Sequence, residues 1–191
     1  MRLVRREERL MWKLIGTGSR RGSSPASRAG DLLRMPLLWH AFALALSRTG
    51  PRGRRAALRG SACSAVAVLL HLPVKRVVRR RRPLGSRMMG LGPLTSSFPS
   101  GHTANDLSFM LGASQEIPPL AIPLSLATMG SHWSLIRSRK HYPSDIVGGG
   151  AIAIAVAATA WFVRPPRWAG RRDDGRRAGH RGRMDRAGPM N

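Results

Sequence analysis

Apolar residues along this chain come in blocks separated by polar ones, and the blocks predict helices. The first clear block runs from Pro36 to Ser47, a second from Gly60 to Val74, a third from Ile117 to Gly130 and a last from Ile146 to Val163. A further helix is predicted from Thr103 to about Ser114, opened by the Pro99-Ser100-Gly101-His102 turn. The last block holds 18 residues without a charge, closes on Trp161 and Phe162, and is followed by Arg164, as a membrane-spanning helix ends at an interface. Gly148-Gly149-Gly150 near its start favours close helix packing over a free helix. The first two blocks are each shorter than the roughly 18 to 20 apolar residues that span a bilayer unaided.

The polar pieces between these blocks are Lys75 to Pro83, the Pro-Ser-Gly-His turn, and Ser134 to Asp145. Helices packed side by side with short connections would bring all three to one end of a bundle. The predicted fold is therefore all-α, a membrane-associated helical bundle with three motifs gathered at one end. Residues 36–163 form this domain. Residues 1–35, rich in Arg, Gly, Ser and Pro, read as a flexible basic leader, Arg48 to Arg59 as a basic connection, and 164–191 as a disordered basic tail.

Composition supports one folded domain, with 42% hydrophobic and 22% charged residues. The formal net charge of +24 points to phosphate in some form: nucleic acid, anionic lipid headgroups or a phosphorylated substrate. Cys63, the only cysteine, cannot form an internal disulfide and reads as a small buried apolar residue.

Each motif carries chemistry of its own. Pro99 fixes its own φ and extends Phe98, and Gly101 tolerates unusual backbone angles, so the chain turns sharply into a helix whose N-terminus favours an anion. Ser100 and the first N–H groups of that helix are donors for phosphate oxygens, with His102 at the rim. Lys75 continues the face of an apolar helix, and seven residues are about two helical turns, which returns Arg82 to nearly the same side. Two such cations can hold one phosphate group. Asp145 lies four residues after His141, within reach if the turn is helical, and a carboxylate on one imidazole nitrogen frees the other as a nucleophile. Asp106, four residues after His102, is explained by capping and the helix dipole. His40, His71, His132 and His180 are expected to pack or to face solvent.

Together, Lys75-x6-Arg82-Pro83, Pro99-Ser100-Gly101-His102, and Ser134 through His141-x3-Asp145 resemble the three-part signature of the type 2 phosphatidic acid phosphatase superfamily, which includes bacterial acid phosphatases and vanadium haloperoxidases. The resemblance covers roughly residues 36–163. It implies a helical, usually membrane-embedded enzyme that hydrolyses a lipid-linked phosphate or diphosphate without metal or cofactor. No Cys/His/carboxylate cluster in the sequence has metal-ligand spacing. The implied roles are His141 as the nucleophile that becomes phosphohistidine, Asp145 as its orienting partner and His102 as the acid for the leaving oxygen. Lys75, Arg82, Ser100 and the Gly101 backbone would bind the phosphoryl oxygens. The implied setting is a multi-pass protein of a bacterial plasma membrane with its site facing outward, acting on lipid rather than nucleic acid.

One position departs from the signature. The family's third motif begins Ser-Arg, with the Arg six residues before the histidine, and this chain has Ser134-Leu135. A charge-assisted contact worth about 2 to 4 kcal/mol to a transition state is missing at Leu135. Arg139 shares the face of Leu135 whether the segment is helical or extended, and Arg137 only if it is extended. Substitution by Arg139 is one reading, and a catalytically impaired membrane protein that keeps an anion pocket is another. A basic nucleic-acid-binding protein is the third, weakened by the long uncharged helix and by the lack of aromatic residues among the Arg runs.

Overall fold

The structure, a computed structural model, describes residues 2–15, 36–83 and 96–166, and every regular element among them is helical. Arg2–Ile15 forms α1, Pro36–Ser47 forms α2 and Pro51–Val78 forms α3. Gly101–Glu116 forms α4, Pro118–Leu120 a 3₁₀ turn, Ala121–Arg137 α5 and Pro143–Val163 α6.

Two expectations change here. The leader is helical over Arg2–Ile15, because its apolar residues recur at helical spacing (Leu3, Leu10, Met11, Leu14) between arginines on the other side of the wheel. The remainder of the leader and the tail beyond residue 166 lie outside the described residues. The expected connection from Arg48 to Arg59 shrinks to Arg48, Thr49 and Gly50, since α3 starts at Pro51. Proline suits the first helical position, where an N–H has no intrahelical partner, and Gly50 takes the left-handed turn before it with φ 104°. Pro73 does not stop α3, which runs on to Val78. At 1.5 Å per residue the helix is about 42 Å long, more than the roughly 30 Å of a bilayer core.

The helix α4 is central and packs most extensively against α3 and then α6. Small residues make this approach close: a Cβ on Gly60 would stand 2.9 Å from the Phe109 carbonyl oxygen, and one on Gly112 would stand 2.9 Å from Cys63 Sγ. Cys63 is buried with Ala67, Ala104 and Val156 where α3, α4 and α6 meet. A second cluster of Leu46, Ala56, Ala57, Phe109, Met110, Ala113 and Leu124 joins α2 to α5 around α4, with Trp39 and Phe42 against Phe109.

The outer surface is apolar. Leu58, Val66, Leu69 and Leu70 on α3, Ile122, Leu126 and Met129 on α5, and Val147, Ile154 and Phe162 on α6 are all exposed. Soluble monomers rarely expose this much apolar surface. Both α3 and α6 are long and apolar enough to cross a membrane, and α2 is a shorter apolar helix. The bundle is membrane-associated.

Polar contacts mark its two ends. At one end, the start of α3 meets the end of α4: Arg55 and Arg59 pair with the Glu116 carboxylate at 3.5 and 3.1 Å, and Arg52 donates to the Glu116 carbonyl at 3.0 Å. Arg59 also donates to the Arg164 carbonyl beyond α6. The end of α3 and the starts of α4 and α6 meet at the opposite end, and there all three motifs gather.

Candidate active site

The first motif enters from α3. Lys75 is buried in its last turns, and its ammonium donates to the Ser96 carbonyl at 2.9 Å. The helix stops at Val78, and Arg79 closes it in the left-handed region with φ 45°, its N–H on the Lys75 carbonyl at 3.2 Å. Arg82 therefore does not return by helical periodicity as expected. It reaches the site from the non-helical segment after α3, donating to the Lys140 carbonyl at 2.6 Å with Nη1 3.4 Å from His141 Nε2.

The second motif is the N-terminus of α4. Ser100 is the N-cap; its hydroxyl oxygen accepts from the Thr103 N–H at 3.3 Å and from the Thr103 hydroxyl at 2.9 Å. The Ser100 N–H donates to the Asp145 carbonyl at 2.9 Å, so this amide holds the second motif to the third. Gly101 permits close packing: a Cβ there would lie 2.8 Å from His71 Nε2. His71 is buried and donates from Nδ1 to the Ala67 carbonyl at 2.8 Å, so it packs as expected, but directly beneath the Ser100–Gly101 turn. His102 lies exposed in the first turn of α4. Asp106 is buried and accepts from Ser131 of α5 at 3.2 Å, so it joins α4 to α5 where capping at an exposed helix start was expected.

The third motif spans the end of α5 and the start of α6. Tyr142 is the N-cap of α6, Pro143 takes the first turn, and Asp145 Oδ2 accepts the Tyr142 N–H at 2.8 Å. Asp145 Oδ2 stands 3.5 Å from His141 Nδ1, longer than a normal hydrogen bond. A different group accepts the imidazole N–H: the Ser97 carbonyl lies 2.8 Å from Nδ1. A carbonyl can only accept, so Nδ1 carries the hydrogen and Nε2 carries the lone pair beside Arg82. Burial pushes the imidazole below its ordinary value of 6.5; the Asp145 carboxylate raises it again, while the charges of Arg82 and Lys75 lower it further. The neutral ring is thereby favoured at neutral pH.

Leu135 is completely buried in the last turns of α5. The helix ends after Arg137, and the next residues form a closed cap in which Arg139 N–H meets the Ile136 carbonyl at 2.9 Å and Lys140 N–H meets the Leu135 carbonyl at 3.0 Å. Arg139 occupies the left-handed position of this cap with φ 55°, so neither the helical nor the extended geometry that would align it with Leu135 applies. It is half-buried two residues before His141, whereas Arg137 is exposed on a helical turn that points away from the Leu135 face.

Three residues that sequence reasoning missed hold the motifs together. Ser96 and Ser97 are buried stitches: Ser97 N–H donates to the Arg80 carbonyl at 2.8 Å and its hydroxyl to the Arg81 carbonyl at 3.1 Å, while Ser96 Oγ accepts the Arg80 N–H at 3.0 Å. Their contacts to Lys75 and His141 are made by backbone carbonyls, which side-chain motifs do not reveal. Arg80 was hidden inside an arginine run. Its guanidinium donates to Ser144 Oγ at 2.6 Å and to Asp145 Oδ1 at 2.9 Å, and lies 4.3 Å above the Tyr142 ring.

A family model described as the PAP2 superfamily matches residues 56–169, more than half of the chain and all three motifs. The chain belongs to the PAP2 superfamily. A search of solved structures matches it to a crystal structure described as the first transmembrane PAP2-type phosphatidylglycerolphosphate phosphatase from Bacillus subtilis, with TM-score 0.61 and 14% identity. That match covers 82% of this chain and 83% of the other. At such identity the likeness is one of fold, and it agrees with the helical, membrane-associated bundle. No curated protein sequence matches significantly. Of the elements described above, α1 and α2 lie before the region that the PAP2 model matches.

Proposed function

We propose that this PAP2 protein is a metal-independent phosphatase acting on a lipid-linked phosphate or diphosphate through a phosphohistidine. The observation that carries the reading is the tautomer of His141: Nδ1–H on the Ser97 carbonyl, Nε2 with its lone pair beside Arg82. In the proposed reaction Nε2 attacks phosphorus in line and the bond to the leaving oxygen breaks. His102 gives that oxygen a proton. Water then attacks the phosphohistidine, His102 takes a proton from it, and inorganic phosphate leaves. Lys75, Arg82, the Ser100 hydroxyl and the Gly101 amide balance the charge that builds on the phosphoryl oxygens. Arg139 is proposed to supply the guanidinium that Leu135 does not.

The exposed apolar surface supports an enzyme held in a membrane, where a lipid-linked substrate is more accessible than nucleic acid. The proposed orientation is that of a multi-pass protein of a bacterial plasma membrane. Arg48, Arg52, Arg54, Arg55 and Arg59 lie at the cytoplasmic end and the motifs at the outer one. A catalytically impaired anion-binding protein is the alternative, and Leu135 favours it. Purified protein in detergent with a chelator present, given a panel of lipid phosphates, separates the two. The phosphatase releases phosphate from at least one of them, and an impaired protein from none.

A further inference from the structure

On α1 the sequence sets Glu7 among apolar neighbours at helical spacing: Leu3 and Val4 before it, Leu10, Met11 and Leu14 after it. A carboxylate in the middle of an apolar face is costly unless a partner meets it. Glu7 is buried together with Met11. One of its oxygens pairs with the Arg80 guanidinium, and the other accepts the Ser144 N–H at 3.2 Å. That N–H belongs to the first turn of α6, where a helix has unmet donors and favours negative charge. One residue on, Glu8 accepts the Tyr142 hydroxyl at 3.1 Å, and burial with the nearby Glu8 carboxylate pushes that phenol up to about 12, keeping it a donor. Arg80 lies between two carboxylates: Nη2 is held by Glu7 and Nη1 by Asp145 Oδ1.

We propose that Glu7 is a positioning residue of the active site, acting through Arg80 and the Ser144 amide to hold Asp145, and with it His141, in place. The proposal rests on the phosphatase reading of this site. The physical reason is that Arg80 alone could swing its fork away from Asp145, since a guanidinium has five donors and a flexible stem. Glu7 fixes the far edge of that fork and the Tyr142 ring covers its face. The near edge then presents one geometry to Asp145. Because α1 precedes the region that the family model matches, this is a contribution of the chain's own N-terminal helix.

The groups around His141 are Asp145 at 3.5 Å, Arg82 at 3.4 Å, Lys75, and Arg80 through Asp145. Replacing Glu7 by Gln removes one negative charge and leaves Arg80 less compensated, so the His141 ring should titrate at a lower pH. The experiment has two arms on the full chain in detergent. Histidine-labelled NMR follows the His141 ring in wild type, Glu7→Gln and Glu7→Asp. Phosphate release gives kcat and KM for the same proteins and for Asp145→Asn with and without Glu7→Gln. The expected result is a downward shift of the His141 titration in Glu7→Gln. A loss in kcat of about 10-fold with little change in KM should accompany it, the pattern expected when an interaction that matters in the transition state rather than in substrate binding is removed. Glu7→Asp should recover part of both. In the Asp145→Asn background Glu7→Gln should cost little more, because the two act as one unit. An unchanged His141 titration in Glu7→Gln overturns the proposal, as do losses that add in full to those of Asp145→Asn. If wild type releases no phosphate while the titration still shifts, the phosphatase reading fails and the positioning role of Glu7 stands.

Discussion

His141 donates its Nδ1–H to a backbone carbonyl rather than to a side chain, and this separates two jobs that a His-x-x-x-Asp pattern suggests one residue does. Ser97 fixes the tautomer, and Asp145 supplies nearby negative charge while capping α6 and binding Arg80. Asp145→Asn should therefore slow turnover while leaving the ring tautomer intact, and His141→Ala should abolish it. His102→Ala should spare substrates whose leaving oxygen is acidic enough to depart without a proton, read as kcat across a series of aryl phosphates. The pH dependence follows from the lowered His141 value. In the proposed mechanism the nucleophile is the neutral ring, so the acid limb of kcat/KM should fall below the ordinary 6.5. The same group acts on stability: the unfolded chain binds the proton more readily, so stability is lost as pH falls below 6.5 towards the folded value. Thermal unfolding across that window should show the loss in wild type and a smaller one in His141→Gln. Lys75, Arg82, Ser100, His141 and Asp145 were singled out in the sequence by the resemblance of the three motifs, although Arg82 arrives from the non-helical segment after α3 rather than by helical periodicity. Ser96 and Ser97 were not, because their bonds to Lys75 and His141 are made by main-chain carbonyls, and Arg80 was not because nothing distinguishes it from Arg79 and Arg81 until the fold pairs it.

At the scale of elements, the site depends on how α3, α5 and α6 stop and start. Gly149 allows α6 to approach the anion turn: a Cβ there would stand 2.5 Å from the Ser100 carbonyl oxygen and 2.9 Å from Thr103 Cβ. Gly149→Ala must shift backbone, so a loss of about 1 to 3 kcal/mol in unfolding free energy and a loss of activity are expected together. Arg139 gives the opposite pairing. A non-glycine residue in the left-handed region costs about 1 to 2 kcal/mol, so Arg139→Gly should raise the melting temperature. If Arg139 supplies the contact that Leu135 cannot, the same change lowers kcat/KM by 10-fold or more, at about 1.4 kcal/mol per factor of ten. A more stable and fully active Arg139→Gly protein would assign the residue to the helix cap alone. The helix α6 and the packing glycines near its start were readable from composition. The extension of α3 to Pro51 was not, because a Pro- and Gly-bearing basic stretch signals a connection as readily as a helix start.

At the scale of the whole molecule, the two ends of the bundle have different chemistry. Arg52, Arg55 and Arg59 meet Glu116 at one end, where Arg59 also meets the Arg164 carbonyl, and the motifs stand at the other. In the proposed orientation a cysteine at Arg137 reacts with a membrane-impermeant maleimide in intact cells and a cysteine at Arg54 does not; the reverse pattern would invert the assignment. The gathering of three motifs at one end was legible because successive helices packed side by side alternate in direction, even though residues 79–100 separate α3 from α4. The role of α1 was not, since its charge and the Gly/Ser-rich stretch behind it resemble a tether. The central claim is that His141 carries the phosphoryl group, and one measurement addresses it directly. Protein mixed with a lipid phosphate labelled on phosphorus and quenched in alkali within one turnover should hold label on His141, stable to base and released by acid, with none in His141→Ala. Label-free enzyme under conditions of steady phosphate release, or equal labelling of His141→Ala, would contradict it.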